Sequence, residues 1–347
     1  MGELEIMEQR LDAACCPEDV FGIAGDTAAV FRTLARACHP DLHKGSVAAE
    51  RVFKKLNALK DEADRRHQSG AWGKREPLAH CATMEIGEYT VKQTPFRGAM
   101  SDLYRVDGKP LLVKVARNHD DNDLLRAEST ALKLLEAIDG PVRDGVPKLV
   151  QTMQLDGMRK RQANVILAFD GFYTAEQVRE KTVVEARTAV WMFKRILSLL
   201  TWIHHFKLLH GAILPPHVMF YPDNDGRRLV DKRKHSMRLI DWCYAVDLRA
   251  RTRLSAWEEK WKDHYPPEVV AKKSLSPAAD IYMAAQLIRF MCGTLPAPLE
   301  QVIEKCTFPD PEQRYQKAEE AFEAWTAAAQ REFGPPRWHD FNIPHIN

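Results

Sequence analysis

The spacing of apolar residues changes character twice along this chain, and that change limits the fold more than any single motif does. Up to about residue 70 the spacing is helical. Asp26 can cap a run from Thr27 to Cys38 that carries Val30, Phe31, Leu34 and Ala35 on one face, and Pro40 ends it. A second run begins after Gly45 and Ser46 and carries Val52, Phe53, Leu56 and Leu59 on one face. Alternating segments follow at Tyr89 to Thr94, Asp102 to Val106 and Leu111 to Val115, the last two joined by an Asp107-Gly108 turn. A helix is expected from Asn122 to Ile138, then a strand at Val165 to Phe169. From Val183 onward the pattern is mainly helical, interrupted by strands near His217 to Tyr221 and Met237 to Ile240. This order implies an α+β chain: a small helical hairpin, then a β-rich half and an α-rich half with a cleft between them. Gly70, Gly73 and Pro77 mark a linker.

With 347 residues, 45% hydrophobic and 28% charged, the chain is long enough for a small domain and one of ordinary enzyme size. A formal net charge of +2 points to neither a nucleic-acid nor a membrane partner. No stretch approaches the roughly 20 apolar residues needed to cross a bilayer. Met1 to Arg10 is glutamate-rich and lacks the order of a signal peptide. The seven cysteines are scattered apart from Cys15 and Cys16, which suits a reducing, cytoplasmic setting. Cys38 and His39 with His43 come nearest to zinc-ligand spacing but have no second pair.

His39-Pro40-Asp41 falls in the loop between the two predicted helices, where an imidazole and a carboxylate are free to pair with a partner. With Phe31-Arg32-Thr33-Leu34-Ala35 before it and Phe53-Lys54-Lys55-Leu56-Asn57 after it, the segment resembles the J-domain of DnaJ-type co-chaperones over about Pro17 to Gly73, which implies a helical domain at residues 1–70. The resemblance implies binding of a DnaK-type chaperone through His39, Pro40 and Asp41, aided by Arg32 and Arg36. That basic face is sparser than is usual for J-domains, and the stretch after Phe21 is shorter, so a slower encounter is expected. A helical hairpin with an ordinary capped loop is the other reading of the same residues.

After a linker at 71–86, a second set of motifs runs in order across residues 87–334. Lys114 ends Leu111-Leu112-Val113-Lys114, and Glu128 sits on the following helix. Then come Leu208-Leu209-His210-Gly211-Ala212-Ile213-Leu214-Pro215-Pro216-His217, Leu239-Ile240-Asp241-Trp242-Cys243, Tyr265-Pro266-Pro267-Glu268, Asp280 and Asp310-Pro311 to Arg314. Together these resemble the protein kinases and imply a two-lobed, kinase-like fold with a β-rich first lobe and a helical second one. Residues 335–347 form a tail.

The resemblance also shows which catalytic positions have changed. Ala212 stands where the family has its catalytic aspartate and cannot accept a proton. Leu214 replaces the loop lysine. His217 replaces a metal-binding asparagine, a poor exchange for magnesium. The phosphate-covering loop, Thr94 to Ser101, keeps only Gly98. Leu112 occupies the position of a smaller residue that packs on adenine, and overpacking of this kind typically costs about 1–3 kcal/mol. No catalytic residue is therefore expected. Lys114, Glu128 and Asp241 remain, and either hold ATP with magnesium on Asp241 or form a structural ion-pair network. Glu268 with Arg314, Asp280, and the stacked His210, Trp242 and Leu132 are expected to be scaffold.

These expectations combine into a co-chaperone adaptor: a kinase-like body that holds an unknown client and a hairpin that recruits the chaperone. The alternatives are an atypical ATP-dependent phosphotransferase using Lys114 and Asp241, and a pure interaction scaffold. The basic clusters at Arg227-Arg228 with Lys232-Arg233-Lys234, and at Arg249 to Arg253, read as solvated loops. The tail reads as folding back on the helical lobe, and His204-His205 as packing.

Overall fold

The computed structural model describes residues 4, 7–8, 10–11, 14–22, 26–43, 46–74, 82–93, 96–137, 140, 142–155, 160–222, 236–337, 341 and 343. Gly45, Pro77, Thr94, Ile138, the basic residues at 227–234 and Trp338 lie outside the described residues. The chain forms two compact units, Met1–Pro95 and Phe96–Asn347.

The first unit contains α1 (Pro17–Phe21), α2 (Thr27–Ala37) and α3 (Val47–Ser69). Asp26 caps α2 by accepting from the amides of Ala28 at 2.9 Å and Ala29 at 3.2 Å, and Ser46 caps α3 through the Ala49 amide at 3.2 Å. Helix α3 stops at Gly70, whose φ of 68° is left-handed and favours a residue without Cβ. The core joins Val20 and Phe21 to Cys38, Val52, Leu56, Leu59 and Ala63. Beneath it Glu18 is buried, facing Arg66 at 3.3 Å and accepting from the Gly73 amide at 3.1 Å. A buried carboxylate without such partners would be strongly destabilising.

Two strands, β1 (Thr83–Ile86) and β2 (Tyr89–Lys92), also belong to this unit. The first falls inside the stretch read as a linker. The second was read as the opening strand of the larger half, yet it pairs only with β1, in a separate two-stranded sheet. A hairpin closed at Gly87 satisfies its inner backbone groups locally, so it needs no larger sheet.

The second unit opens with an antiparallel sheet of β3 (Phe96–Arg97), β4 (Ser101–Arg105), β5 (Leu111–Ala116), β6 (Leu149–Leu155) and β7 (Arg161–Leu167), in the order β3-β4-β5-β7-β6. Helix α4 (Asn122–Glu136) buries Leu124, Leu125, Leu132 and Leu135. The sequence indicated β7 only from Val165, and β6 not at all. The helical half follows as α5 (Ala175–Lys181), α6 (Ala186–His205), α7 (Pro277–Cys292), α8 (Ala297–Cys306) and α9 (Ala318–Phe333). Short strands brace it: β8 (Tyr173–Thr174) and β11 (Ser236–Leu239) flank β10 (Val218–Tyr221), and β9 (Leu208–Leu209) pairs with β12 (Val246–Asp247). Phe193 and Trp325 meet edge-on at 5.0 Å, joining α6 to α9. From the tail, Phe341 and Ile343 are buried, with Phe341 against Trp191 and Phe220, so the chain does fold back there. No described helix is long and apolar enough to cross a membrane.

Candidate functional site

The loop after β9 is fixed from below by Asp280 on α7. Its fully buried carboxylate accepts from the backbone amides of His210 and Gly211, each at 2.9 Å, and from the His204 Nε2 at 3.0 Å. His204 is therefore a polar tie, which corrects its expected packing role. Gly211 is required: at φ 78° a Cβ would stand 2.4 Å from the Tyr244 carbonyl oxygen. Next to it Ala212, expected from the sequence to stand where kinases carry an acid, is fully buried. Leu214 is fully buried too. His210 donates from Nε2 to the Ile240 carbonyl at 3.0 Å and stacks edge-on with the buried Trp242 at 4.7 Å, and Leu132 is buried as well. The Glu268 carboxylate and Arg314 form a buried two-pronged pair at 2.7 and 2.9 Å.

Lys114 is the hub above this loop. Its Nζ lies 2.9 Å from Glu128, 2.8 Å from Asp241 and 3.2 Å from the Cys243 sulfur. Burial alone would lower its pKa, but Asp241 and the other neighbours more than offset that and hold it well above the usual lysine range. Burial drives the Cys243 thiol well upward, so it stays protonated. Asn164 on β7, a residue the sequence did not single out, fixes the hub from behind by donating to Glu128 at 2.9 Å and to the Leu125 carbonyl at 2.8 Å. Asp241 has a left-handed backbone, φ 60°, an uncommon state for a residue other than glycine. Its side chain is 26% exposed, the open side of the cluster.

Beside the hub, His217 takes the position of the expected metal-binding asparagine. Its Nδ1 donates to the Ala212 carbonyl at 2.9 Å, and its Nε2 faces Glu258 at 2.9 Å and Asp241 at 3.5 Å. Burial opposes its protonation, but the two carboxylates more than compensate and raise its pKa above the ordinary histidine value. Tyr244 donates to Glu258 at 3.2 Å, and the Glu258 amide donates to the Tyr265 hydroxyl at 3.2 Å. Glu258 was missed because it lies in an irregular segment between β12 and Tyr265, where no periodicity marks a residue as inward.

Among the described residues, the loop expected to cover phosphate is tied down. Gly98 donates to the Ser101 carbonyl at 2.9 Å, while Arg117 donates to the Gly98 carbonyl at 2.6 Å, to the Ala99 carbonyl at 3.3 Å and to Asp102 at 2.9 Å. Met100 and Leu112 both pack against the core. The second basic cluster is partly spoken for, since Arg249 pairs with Asp247 at 2.8 Å and Arg251 donates to the Ala245 carbonyl at 2.7 Å.

In the first unit, His39 leans edge-on against Phe53 at 5.0 Å, and its Nδ1 accepts from the Asp41 amide at 3.2 Å. Asp41 is 87% exposed, and Arg32 and Arg36 are exposed along α2. His43 is used locally, donating to the Ala37 carbonyl at 2.9 Å, which closes the end of α2.

Burial pushes His210 down to about 4 from an ordinary value of 6.5, against the pull of Asp280. Between those values the unfolded chain takes a proton that the folded chain refuses, so stability is expected to fall as pH drops through that window. Above it His210 contributes no pH dependence. Urea denaturation at about pH 7.5 and about pH 5 checks this, since His210→Gln should flatten the difference.

No protein-family model and no curated protein matches the chain. Its structure is similar to the crystal structure of the Mycobacterium tuberculosis PknI kinase domain, a double mutant, with a TM-score of 0.52 and 17% sequence identity over 73% of this chain and 99% of that one. That likeness establishes a kinase-like fold.

Kinase-like folds commonly bind ATP with magnesium, so the donors here can be tested against that ion. Magnesium demands near-octahedral oxygen ligands and gives up its water reluctantly. Of the Asp241 oxygens, Oδ1 is engaged by Lys114 and Oδ2 faces an imidazole, and the neighbouring donor is a nitrogen rather than an amide oxygen. The donor set does not fit magnesium.

Proposed function

We propose that the chain is a two-module adaptor whose kinase-like unit holds a partner without transferring phosphate, while the N-terminal hairpin recruits a DnaK-type chaperone through His39-Pro40-Asp41. The observation that carries this reading is Ala212. Proton abstraction at that position in a kinase-like fold needs a carboxylate, and a buried methyl group supplies neither a base nor room for one. The scaffold around it, Asp280 beneath the loop and Glu268 with Arg314, is intact, which suits a rigid surface for a partner. On the hairpin, support comes from an exposed carboxylate at Asp41, an imidazole held against Phe53, and two cations on the adjoining helix.

The test is stimulation of a DnaK-type ATPase by the full-length chain. Wild type should raise the turnover rate, and His39→Gln should return it to the chaperone's basal value while leaving partner capture unchanged. Absence of stimulation by wild type, with the host's own chaperone included, refutes the recruiting half.

A second reading, an atypical ATP-dependent phosphotransferase, is favoured by two observations. Lys114 keeps the paired geometry between Glu128 and Asp241, and His217 with Glu258 places two proton-exchanging groups 2.9 Å apart beside the loop. Radiolabelled ATP separates the two readings: label on the chain or on a partner, lost in Asp241→Asn, supports transfer, and no label supports the adaptor.

A further inference from the structure

We infer that the groove between α6 and α9 docks an acidic amphipathic helix of a partner protein. The groove encloses about 690 Å³, a volume typical of built ligand sites. Its walls are two helix faces of matching length. Arg187, Trp191, Lys194 and Ser198 recur at helical spacing along α6, and Phe322, Thr326, Ala329 and Phe333 do so along α9. The two faces run antiparallel, because Arg187 lies over the Phe333 ring at 4.5 Å and Lys194 over the Phe322 ring at 5.0 Å.

Charge selects the occupant. Arg187, Lys194, Arg195 and Arg337 line the groove, and among the described residues no carboxylate does. None of these cations has a carboxylate partner there either. An aromatic face holds a cation in place without neutralising it. In a chain whose net charge is only +2, this cluster makes a local positive field that attracts an acidic partner and repels a basic one. Between the cations the floor is apolar, with Val190 and Trp191 half-buried and Ala329 buried. A small anion would leave that floor wet, and an uncharged apolar segment would leave the cations without a counter-charge. The Thr326 hydroxyl, buried in the same floor, has no hydrogen-bond partner within the chain.

Spacing favours a helix. Arg187 and Lys194 stand two turns apart on α6, about 10.5 Å along its axis. Carboxylates seven residues apart on a partner helix have the same separation, with apolar side chains at the third and fourth positions between them. An extended strand covers that length in about three residues, which puts the two side chains on opposite faces. The cations also line a concave groove rather than a flat face, which favours a helix over a lipid surface. The inference rests on the adaptor reading and deepens it, by giving the kinase-like unit a surface for its partner and that partner's chemistry.

The test uses the full-length chain and a set of fluorescein-labelled, alanine-rich peptides long enough to be helical, about 16 residues. The parent peptide carries glutamates seven apart with leucines between them. Its companions carry glutamine or lysine for the glutamates, or alanine for the leucines. Fluorescence anisotropy at low salt should show the parent binding at least about 10-fold more tightly than each companion, with affinity falling as salt is added. Arg187→Glu with Lys194→Glu should lose at least about 10-fold for the parent and gain the lysine peptide. Arg195→Glu with Arg337→Glu, at fully exposed positions, should weaken the parent in the same direction with an unchanged circular dichroism spectrum. The inference is overturned if wild type binds no peptide of the set, if the glutamate and glutamine peptides bind alike, or if both variants bind the parent as wild type does. Sedimentation with phosphatidylserine vesicles, without peptide binding, would assign the cations to a membrane and overturn it too. No chaperone takes part, so loss of peptide binding with ATPase stimulation intact removes the groove alone, and the reverse result removes only the recruiting half.

Discussion

Arg314→Ala is expected to lower the stability of the kinase-like unit by about 3–5 kcal/mol, the usual cost of removing one partner of a buried ion pair. The guanidinium is fully buried. Besides its two-pronged contact with Glu268 it donates to the carbonyls of Phe308 at 2.6 Å and Pro309 at 3.0 Å, and it lies over the Tyr282 ring at 4.7 Å. Truncation leaves the Glu268 carboxylate charged and dry, together with two carbonyls without a donor. Urea denaturation followed by circular dichroism measures the loss. A companion variant, Arg314→Met with Glu268→Leu, should recover much of it, because it removes the buried charge along with its partner. If the single change costs under about 1 kcal/mol, the pair does not hold this segment.

The second large effect is expected at Trp325, where substitution by alanine should cost about 3–5 kcal/mol through the cavity it leaves. Trp325 is fully buried, meets Phe193 edge-on at 5.0 Å, and donates from its indole to the Val190 carbonyl at 3.1 Å. It thus packs α9 against α6 and adds a directional tie between them. Trp325→Phe should lose distinctly less, since it keeps most of the ring volume and gives up the indole donor. Equal losses for the two variants in the same denaturation series would show that the hydrogen bond, and not the packing, carries the contact.

How far the sequence could be read followed from whether a residue's role is local. The caps Asp26 and Ser46, the turn at Asp107-Gly108 and the apolar faces of α3 and α4 depend on near neighbours, and they were legible. The pairs Lys114 with Glu128 and Glu268 with Arg314 are distant in sequence, yet the kinase resemblance supplied both positions, and both are in contact. Strand β6 was not legible because it is an edge strand with Gln151 and Gln154 in it, so one face pairs and the rest is wet. The start of β7 was hidden for the opposite reason, since Gln162 and Asn164 look exposed but are buried and bonded. Glu258 had no signal at all. Its inward direction comes from the path of an irregular segment, which hydrophobic spacing does not encode. The hairpin of β1 and β2 shows the limit of composition as a guide to linkers, because four-residue strands with a glycine turn resemble loop sequence.

The clamp that Arg117 places on the loop at Gly98 and Ala99 has a consequence of its own. In a chain whose roof is shaped by its ligand, occupancy is what creates order, and the roof can report occupancy to the rest of the molecule. Here the carbonyls of Gly98 and Ala99 are already held by an arginine from the same unit. The roof is thus tied by a residue of its own unit, and its shape is set from within this chain.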